Sequence, residues 1–496
     1  MTELELKIRE RAGREIGPRF VAGGRRVAMV YPSPYRAGMS SLGFQWITQL
    51  LRADGLSAER CFLPDEPAAY RSARQGIVSY ETRNRLSSFP ILAVSLAYEL
   101  EISGLLEMLS LSGIPLLRDE RGPQDPVIVL GGPITMANPL AVAPFVDLIL
   151  LGEAEETAAP AIQAFFDSAC RASWLDTAST LAGAFVPERD TVLPIGAKAT
   201  DALLPAHSAW ICPDAELSNM FLLEGERGCH RRCSFCVMRR SVTHGGMRLF
   251  DPTRIAGAIP NAAKKVGLVG AAISDHPQLV PILESLVESG RQVSLSSLRA
   301  DRIKARPKIT ELLRKSGART LTVASDGASA RLRKQIIKGT SETHLEACAD
   351  QCSAHHFDVF KVYMILGLPG ETDEDIDELI HFTTDLANRA RPARLALGVA
   401  PFVAKKNTPL DGEKFAGIKV IDRRMKRLQR GLRGTAEVRP VSSRWAWVEH
   451  EISQGGPETG LAILDAWKSG GRFAHYRSAL SKIDVGTQRP WDTIDA

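Results

Sequence analysis

Three cysteines lie close together near the middle of the chain, at Cys229, Cys233 and Cys236. They belong to the sequence Cys-His-Arg-Arg-Cys-Ser-Phe-Cys, in which an aromatic residue directly precedes the last cysteine. Thiolates at such short spacings are typical ligands of an iron–sulfur cluster, in which each cysteine binds one iron. Three thiolates leave one iron of a [4Fe-4S] cluster without a protein ligand. We therefore expect a cluster whose open iron binds a substrate or a cofactor.

Two other interpretations of this motif are open at this point. A zinc site usually has four ligands in paired spacings; His230 is a candidate fourth ligand, but no second Cys-x2-Cys pair follows. The other interpretation is three unrelated buried cysteines. Eight cysteines among 496 residues are too few for a disulfide framework, so a local cluster of them favours metal or redox chemistry.

The composition is that of an ordinary globular protein, with 44% hydrophobic and 24% charged residues and a net charge of +5. It excludes disordered, collagen-like and disulfide-scaffold proteins. No apolar run reaches the ~18 residues of a membrane span. The charged first residues lack the apolar core of a signal peptide. We therefore expect a cytoplasmic protein with no membrane span.

The first part of the chain, residues 1–169, is expected to form a doubly wound parallel sheet of the flavodoxin or cobalamin-binding type. Short apolar strands such as Val27–Tyr31 and Ile91–Ala97 alternate here with amphipathic helices. Such sheets bind ligands at the carboxyl ends of their strands. Gly131 and Gly132 directly follow a predicted strand, where they suit the close approach of a cofactor or an ordinary turn.

Three further regions follow. Residues 170–218 are rich in proline and are expected to be a linker. Residues 219–410 again alternate strands and helices, which predicts a partial β/α barrel with its chemistry at the strand carboxyl ends. Residues 411–496 are expected to form a small, mostly helical and basic region. The predicted barrel strands are Met220–Glu224, Val266–Ala272, Val293–Leu298, Thr320–Ser325, Phe360–Leu366 and Arg394–Ala400.

The cysteine motif resembles that of the radical S-adenosylmethionine (SAM) superfamily, and the resemblance covers about residues 215–410. It implies that the amine and carboxylate of SAM bind the open iron of a cluster held by the three cysteines. It further implies that the reduced cluster cleaves the C5′–S bond of SAM to give a 5′-deoxyadenosyl radical, which abstracts hydrogen from a substrate. The protein would supply binding, orientation and exclusion of competing reactions.

Further motifs at predicted strand ends are candidate SAM contacts. The hydroxyl of Ser297 and the guanidinium of Arg299 suit a carboxylate, and a helix cap with a salt bridge is the alternative. Asp326 stands where the family usually has glutamate, with a shorter reach. Gly367 and Gly370 resemble the fifth-strand motif of these barrels; they would let the backbone approach adenosine, or would serve a strand-to-helix turn.

The end of the second barrel strand departs from the family pattern. Gly270-Ala271-Ala272 stand where many members have Gly-Gly-Glu. The amine of SAM would then be held mainly by iron and by backbone carbonyls. Asp275 and His276 follow closely and are expected to support the site rather than to react.

The N-terminal half resembles a poorly characterised subgroup of radical SAM proteins with a cobalamin-binding-like first domain. The resemblance rests on Tyr31–Gly43, Ser95–Glu99, Gly131–Pro133 and Gly152–Glu156, among other motifs. It implies cobalamin as a third cofactor, with Gly131 and Gly132 as contacts. The Asp-x-His-x-x-Gly motif that gives a histidine to cobalt in some cobalamin proteins is absent, so a bound cobalamin would lack that ligand.

The sequence therefore predicts a radical SAM enzyme, with methyl transfer to an unactivated carbon if cobalamin is bound. One alternative is a cobalamin-free mutase, cyclase or oxidase. The other is a non-enzymatic iron–sulfur sensor that binds RNA through the basic stretch 403–444, although that stretch is more typical of a solvated helix face. The expected partners are a reductant such as flavodoxin or ferredoxin and a substrate that the sequence does not identify.

Overall fold

The computed structural model describes residues 3–240, 246–296 and 298–483. The chain forms two compact units, Met1–Met220 with Glu451–Ala496 and, between them in sequence, Phe221–His450. Within the described ranges, no helix combines the length and the apolar character that a bilayer span needs.

The strands and helices have the following bounds. The strands are β1 (Arg26–Pro34), β2 (Ser57–Leu63), β3 (Ile91–Ser95), β4 (Val127–Gly131), β5 (Leu148–Leu150), β6 (Ala184–Phe185), β7 (Met220–Glu224), β8 (Glu226–Gly228), β9 (Met247–Leu249), β10 (Lys265–Val269), β11 (Gln292–Leu295), β12 (Thr320–Asp326), β13 (Val359–Leu366), β14 (Arg394–Pro401) and β15 (Glu437–Pro440). The helices are α1 (Glu3–Arg14), α2 (Tyr35–Gly38), α3 (Leu42–Ala53), α4 (Pro67–Ser72), α5 (Ile102–Leu111), α6 (Ala158–Asp167), α7 (Arg171–Ala178), α8 (Pro252–Ala258), α9 (Leu279–Glu288), α10 (Ala300–Ala305), α11 (Lys308–Lys315), α12 (Ala330–Gln335), α13 (Glu342–Ala354), α14 (Asp373–Arg389), α15 (Ile418–Gly431), α16 (Ser443–Gln454), α17 (Pro457–Lys468) and α18 (Phe473–Leu480).

The first unit contains a six-stranded sheet in the order β2-β1-β3-β4-β5-β6. Strands β1 to β5 pair in parallel, and β6 adds to the edge in the antiparallel direction. Near-continuous apolar runs buried in these strands are typical of a parallel sheet covered on both faces. The predicted doubly wound sheet is therefore confirmed, and the antiparallel edge strand is an addition to it.

Strand β2 was not predicted from the sequence because it contains charged residues. Arg60, in its centre, is only 3% exposed. Its guanidinium lies 2.7 Å from carboxylate oxygens of both Glu15 and Glu81 and 4.3 Å above the Trp210 ring. Charged residues are rarely buried unless they are paired, so the sequence Glu59-Arg60 does not indicate a buried strand until its partners are known.

The second unit contains a three-stranded sheet, β11-β10-β7, and a four-stranded sheet, β12-β13-β14-β15. The pairs β10–β11, β12–β13, β13–β14 and β14–β15 are parallel. All six predicted barrel strands are present, and the β/α architecture is confirmed. Strand β15 and the short antiparallel pair β8–β9 were not predicted.

The compact units differ from the sequence-based boundaries. Residues 170–218 are not a separate linker, because α7 and β6 belong to the first unit and the buried Trp174 donates its indole N–H to the Ala161 carbonyl at 2.9 Å. Residues 411–450 group with the barrel, whereas 451–496 group with the first unit. There, the buried Asn138 amide donates to the Ser453 and Gly455 carbonyls at 3.0 and 2.7 Å.

Candidate functional site

The three cysteines of the motif lie in the loop that follows β8. Cys233 is buried and the other two are half-buried, and all three thiols are free. Burial raises the pKa of Cys229 and of Cys236, and the charge of the neighbouring Cys233 raises both further. The charges of Cys229 and Cys233 both raise the pKa of the Cys236 thiol, so the three cysteines of the loop act on one another electrostatically.

Backbone groups hold this loop in place. The N–H of Arg231 donates to the Cys229 sulfur at 3.4 Å. The N–H of Ser234 donates to the Ile336 carbonyl at 3.1 Å, which ties the loop to the end of α12. The loop begins at Gly228, whose φ of +92° lies in the left-handed region that favours glycine. The cysteines are therefore carried by a fixed turn.

An ion-pair network attaches the cysteine loop to the ends of β10 and β11. The Arg231 guanidinium donates twice to the buried Asp275 carboxylate, at 2.9 Å each, and once to Asp301 at 3.1 Å. Arg302 also donates to Asp275, at 2.5 Å. Burial alone would raise the pKa of Asp275, but the hydrogen bonds from Arg231 and Arg302 hold it below its ordinary value. Asp275 supports the loop, as expected for this residue.

The donor set fits an iron–sulfur cluster. Thiolates are the ordinary cluster ligands, and the backbone N–H directed at the Cys229 sulfur is a hydrogen bond of the kind that tunes cluster thiolates. Among the described residues, no three His, Cys, Asp or Glu side chains are placed to hold one metal ion. A cluster does not require that arrangement, because each cysteine binds a different iron.

The sequence-predicted SAM contacts on β11 and β12 are engaged with nearby protein groups. Ser297 lies outside the described residues. Arg299 donates to Asp301 at 3.0 Å and to the Lys338 carbonyl at 3.1 Å. Asp326 has a φ of +60° and lies 2.5 Å from the Lys338 ammonium. The Lys338 charge also acts on Cys236, whose pKa it lowers against the effect of burial, so Asp326 and Lys338 lie beside the cysteine loop.

The glycines after β13 form a turn closed by a buried carboxylate. Gly367 and Gly370 have φ values of +87° and +71°. The Gly367 N–H donates to Glu371 at 2.8 Å, and Arg424 of α15 donates to the same oxygen at 3.0 Å. Burial raises the pKa of Glu371 to about 7. The two glycines therefore form the strand-to-helix turn that was one of their two expected roles. The sequence analysis did not identify Glu371 and Arg424.

The basic helix α15 is largely paired with the acidic start of α14. Arg423 lies 3.3 Å from Asp373, and Arg427 lies 2.5 Å from Asp377. These pairs are exposed to solvent, so each contributes little to stability. They engage part of the positive charge that an RNA-binding surface would present.

Sequence reasoning also missed Glu226, which lies at the departure from the family pattern. Glu226 is 1% exposed, and one carboxylate oxygen accepts from the Ala272 N–H at 2.6 Å. The other oxygen has no hydrogen-bond partner among the described residues. A Cβ at Gly270 would collide with the Glu226 carboxylate, so the glycine makes room for it. A carboxylate from β8 therefore reaches the end of β10, where Gly270-Ala271-Ala272 supply none.

We expect Glu226 to give the protein a pH-dependent stability. Burial raises its pKa to about 7, from an ordinary 4.5, so the native state holds a proton that the unfolded state releases. The stabilisation by protonated Glu226 is complete at a pH below the ordinary pKa of 4.5, and it is lost as the pH rises toward 7. The Glu226→Gln variant should flatten the fall in unfolding free energy between pH 5 and 7 by up to about 1.4 kcal/mol per pH unit, measured by denaturant titration. Glu288→Gln, at the exposed end of α9, should keep the wild-type dependence of the unfolding free energy on pH. The same dependence in Glu226→Gln would contradict the raised pKa of Glu226.

The two adjacent glycines at the end of β4 differ in their surroundings. Gly132 has a φ of +102°, and a Cβ there would lie 2.6 and 2.8 Å from backbone atoms of Leu96. A Cβ on Gly131 would meet only the Leu150 carbonyl, at 3.9 Å. Gly132 is therefore required by the close approach of two backbone segments within the first unit.

This difference predicts unequal effects of alanine at the two positions. Gly132→Ala should lower the free energy of unfolding by about 2–4 kcal/mol, because it combines an unfavourable φ with overlap against immobile backbone. Gly131→Ala should change it by less than about 1 kcal/mol and is the matched control. Thermal or denaturant unfolding measures both, and an equal effect would refute this account of Gly132.

Comparisons with known proteins agree with this architecture. Residues 43–187 match the family described as radical SAM proteins, N-terminal, and residues 225–383 match the radical SAM superfamily. An uncharacterised protein of Methanocaldococcus jannaschii, MJ0966, is 28% identical over 399 residues, which cover 79% of this chain and 80% of that protein.

Two solved structures are more distant. The cobalamin-dependent SAM radical enzyme OxsB, solved with aqua-cobalamin and SAM, matches at 17% identity and a TM-score of 0.48 over 73% of this chain, which spans about half (52%) of that chain. Methylornithine synthase (PylB) matches at 14% identity and a TM-score of 0.31, over 47% of this chain and 68% of its own. The two family matches cover five of the six strands of the first unit's sheet and the cysteine loop of the second unit, and they identify the chain as a radical SAM protein with an N-terminal domain.

Proposed function

We propose that this protein is an enzyme that reductively cleaves SAM at a [4Fe-4S] cluster bound by Cys229, Cys233 and Cys236. The observation that carries the proposal is the loop itself. It carries all three cysteines just after the first barrel strand, and Arg231 attaches it to the buried Asp275. A bound cluster would supply one electron to the SAM sulfonium, which splits SAM into methionine and a 5′-deoxyadenosyl radical.

The residues around the loop have separate roles in this proposal. Arg231 and Asp275 orient the thiols, and their mutual pairing keeps the guanidinium from moving. Asp326, paired with Lys338 beside Cys236, is placed to contact a SAM molecule bound at the loop. Arg299 and Ser297 follow a neighbouring strand, and with Gly367 and Gly370 they complete the proposed SAM contacts. Carboxyl ends of barrel strands are where such sites are built.

Cobalamin-dependent methyl transfer is a second candidate, favoured by the first unit. Its order β2-β1-β3-β4-β5 is that of a doubly wound sheet, which binds ligands at the carboxyl ends of its strands. Gly131 and Gly132 lie at such an end. In this variant of the proposal, the strand ends at Gly131 and Gly132 would hold cobalamin, which would supply a methyl group for an unactivated carbon.

Metal content and magnetic resonance test these proposals together. Protein purified without oxygen from cobalamin-fed cells should contain about four irons per chain. After reduction by flavodoxin, ferredoxin or dithionite, its electron paramagnetic resonance spectrum should change when SAM is added, since SAM binds the open iron. About one cobalt per chain would support methyl transfer, whereas four irons without cobalt would favour the mutase, cyclase or oxidase alternative. Zinc in place of iron would contradict the proposal.

A non-enzymatic iron–sulfur sensor that binds RNA gives a different result. Its cluster spectrum would not respond to SAM, and it would bind RNA with an affinity that falls steeply with salt. The pairing of Arg423 and Arg427 with α14 argues against this function, because these cations are already engaged.

A further inference from the structure

The four-stranded sheet has one face covered by helices and one face that is not. On β13, Phe360, Val362 and Met364 are at most 3% exposed, whereas Tyr363 between them is 46% exposed. Helices α13 and α15 contact β13, and α14 contacts β14, on the buried side. We define the inner face as the side chains that point the other way. Its members are Thr322, Ala324, Lys361, Tyr363, Ala396, Gly398, Glu437 and Arg439.

The register places the polar members of the inner face side by side. Tyr363 pairs with Gly398, and Gly398 pairs with Arg439, so these three residues form one row across β13, β14 and β15. Lys361, Ala396 and Glu437 form the adjacent row. The middle strand contributes only small residues to both rows, and the Tyr363 ring and the Lys361 side chain lie over Gly398.

Gly398 leaves room for the Tyr363 ring on the inner face. A Cβ at Gly398 would lie 2.9 and 3.0 Å from ring carbons of Tyr363, which therefore rests against the glycine backbone. Gly398 needs no left-handed φ, so backbone conformation does not explain it. Glycine inside a strand weakens it, and it often marks a site where another group approaches closely.

Lys361 is a cation without a carboxylate partner among the described residues. Its ammonium donates to the Tyr363 hydroxyl at 2.8 Å and lies 4.5 Å from the centre of the same ring. Both contacts orient the charge but do not neutralise it. Arg439, one strand beyond Gly398, is held in a bidentate pair with Glu437 at 2.8 Å for both bonds. With Lys361 and Arg439 against Glu437, the inner face carries one net positive charge beside an oriented phenol.

We propose that the inner face binds the substrate of this enzyme through a carboxylate or phosphate group, held by Lys361, the Tyr363 hydroxyl and Arg439. The inference rests on the proposed function, because it assumes that the barrel is where the substrate radical forms. Lysine and arginine bind such anions through charge-assisted hydrogen bonds, and the tyrosine hydroxyl adds a third donor.

Anion binding by the intact protein tests this inference without relying on catalysis. The iron-loaded protein is titrated with inorganic phosphate and, separately, with citrate, at constant ionic strength, and the apparent Kd is read from the thermal transition. We expect saturable stabilisation by at least one of the two anions. The ratio of their apparent Kd values then shows whether the bound group of the substrate is a phosphate or a carboxylate. Lys361→Met and Arg439→Gln should each weaken binding about tenfold or more, the loss of one charge-assisted hydrogen bond.

The matched control is Lys315→Met, which removes the same charge from an exposed pair on α11. It should bind the anions as the wild type does. No saturable binding to the wild type, or equal binding to the wild type and to both inner-face variants, would overturn the inference. Formation of 5′-deoxyadenosine by the wild type is measured on the same preparation. Its absence would contradict the proposed function and would not alter the anion titration, so the two failures are distinguishable.

Discussion

Replacing any one of Cys229, Cys233 and Cys236 with alanine should reduce the iron content well below the wild-type value of about four per chain. The same variants should lose the broad visible absorption of the cluster and should form no 5′-deoxyadenosine from SAM above background. Each thiolate binds its own iron, and the described residues show no neighbouring cysteine that could take the place of a lost one. Iron analysis and product quantification after anaerobic reconstitution measure both effects.

Cys170→Ala is the matched control for these substitutions. Cys170 is an exposed, free cysteine at the start of α7 in the first unit, far in sequence from the loop. Its variant should keep the iron and the activity of the wild type. Full iron content in the Cys233→Ala variant would show that the cysteine loop is not the cluster site, whatever the remaining activity.

The second large effect is expected at Asp275. Its buried carboxylate accepts from Arg231 and Arg302, so Asp275→Ala leaves two partly buried guanidinium groups without this partner. Removing one member of a buried ion pair costs about 3–5 kcal/mol; because Arg231 and Arg302 are 24% and 35% exposed, about 2–4 kcal/mol is expected here. Denaturant unfolding measures this loss. Iron incorporation should also fall, since the freed Arg231 no longer fixes the cysteine loop.

Two variants separate loop positioning from general destabilisation. Asp358→Asn breaks an exposed ion pair with Arg319 and should cost less than about 1 kcal/mol with full iron incorporation. Gly132→Ala is expected to destabilise the first unit by a similar amount to Asp275→Ala, but it should leave the iron content of folded protein unchanged. If Asp275→Ala retained wild-type iron content, Asp275 would have only a stability role.

The fold could be predicted wherever apolar pattern and burial coincide. The strands around Val27 and Ile91 are continuous apolar runs, and all six barrel strands were found for the same reason. β2 was missed because Arg60 is buried by partners at Glu15 and Glu81, which lie elsewhere in the sequence. The segment 170–218 is rich in proline, which indicates a linker, and nothing local in the sequence indicates that Trp174 of α7 lies in the core.

The candidate site divides in a similar way. The cysteines were identified because their ligand spacing is local, and in the structure all three lie in the loop after β8. Glu226 and Glu371 could not be identified, because what distinguishes them is a buried carboxylate oxygen, and burial depends on strands that meet only in the folded chain. Gly270 gives the one sequence-level signal for Glu226, since its missing side chain is what admits the carboxylate.

Quantification of the products of SAM is the most direct test of the central claim. Wild-type protein, loaded with iron and reduced under anaerobic conditions, is incubated with SAM, and 5′-deoxyadenosine and methionine are measured by mass spectrometry. The account predicts that both form in equal amounts, that they require the reductant, and that the Cys236→Ala variant forms neither. The account would be contradicted by protein that carries about four irons per chain in a reduced cluster, yet forms no 5′-deoxyadenosine with or without candidate substrates.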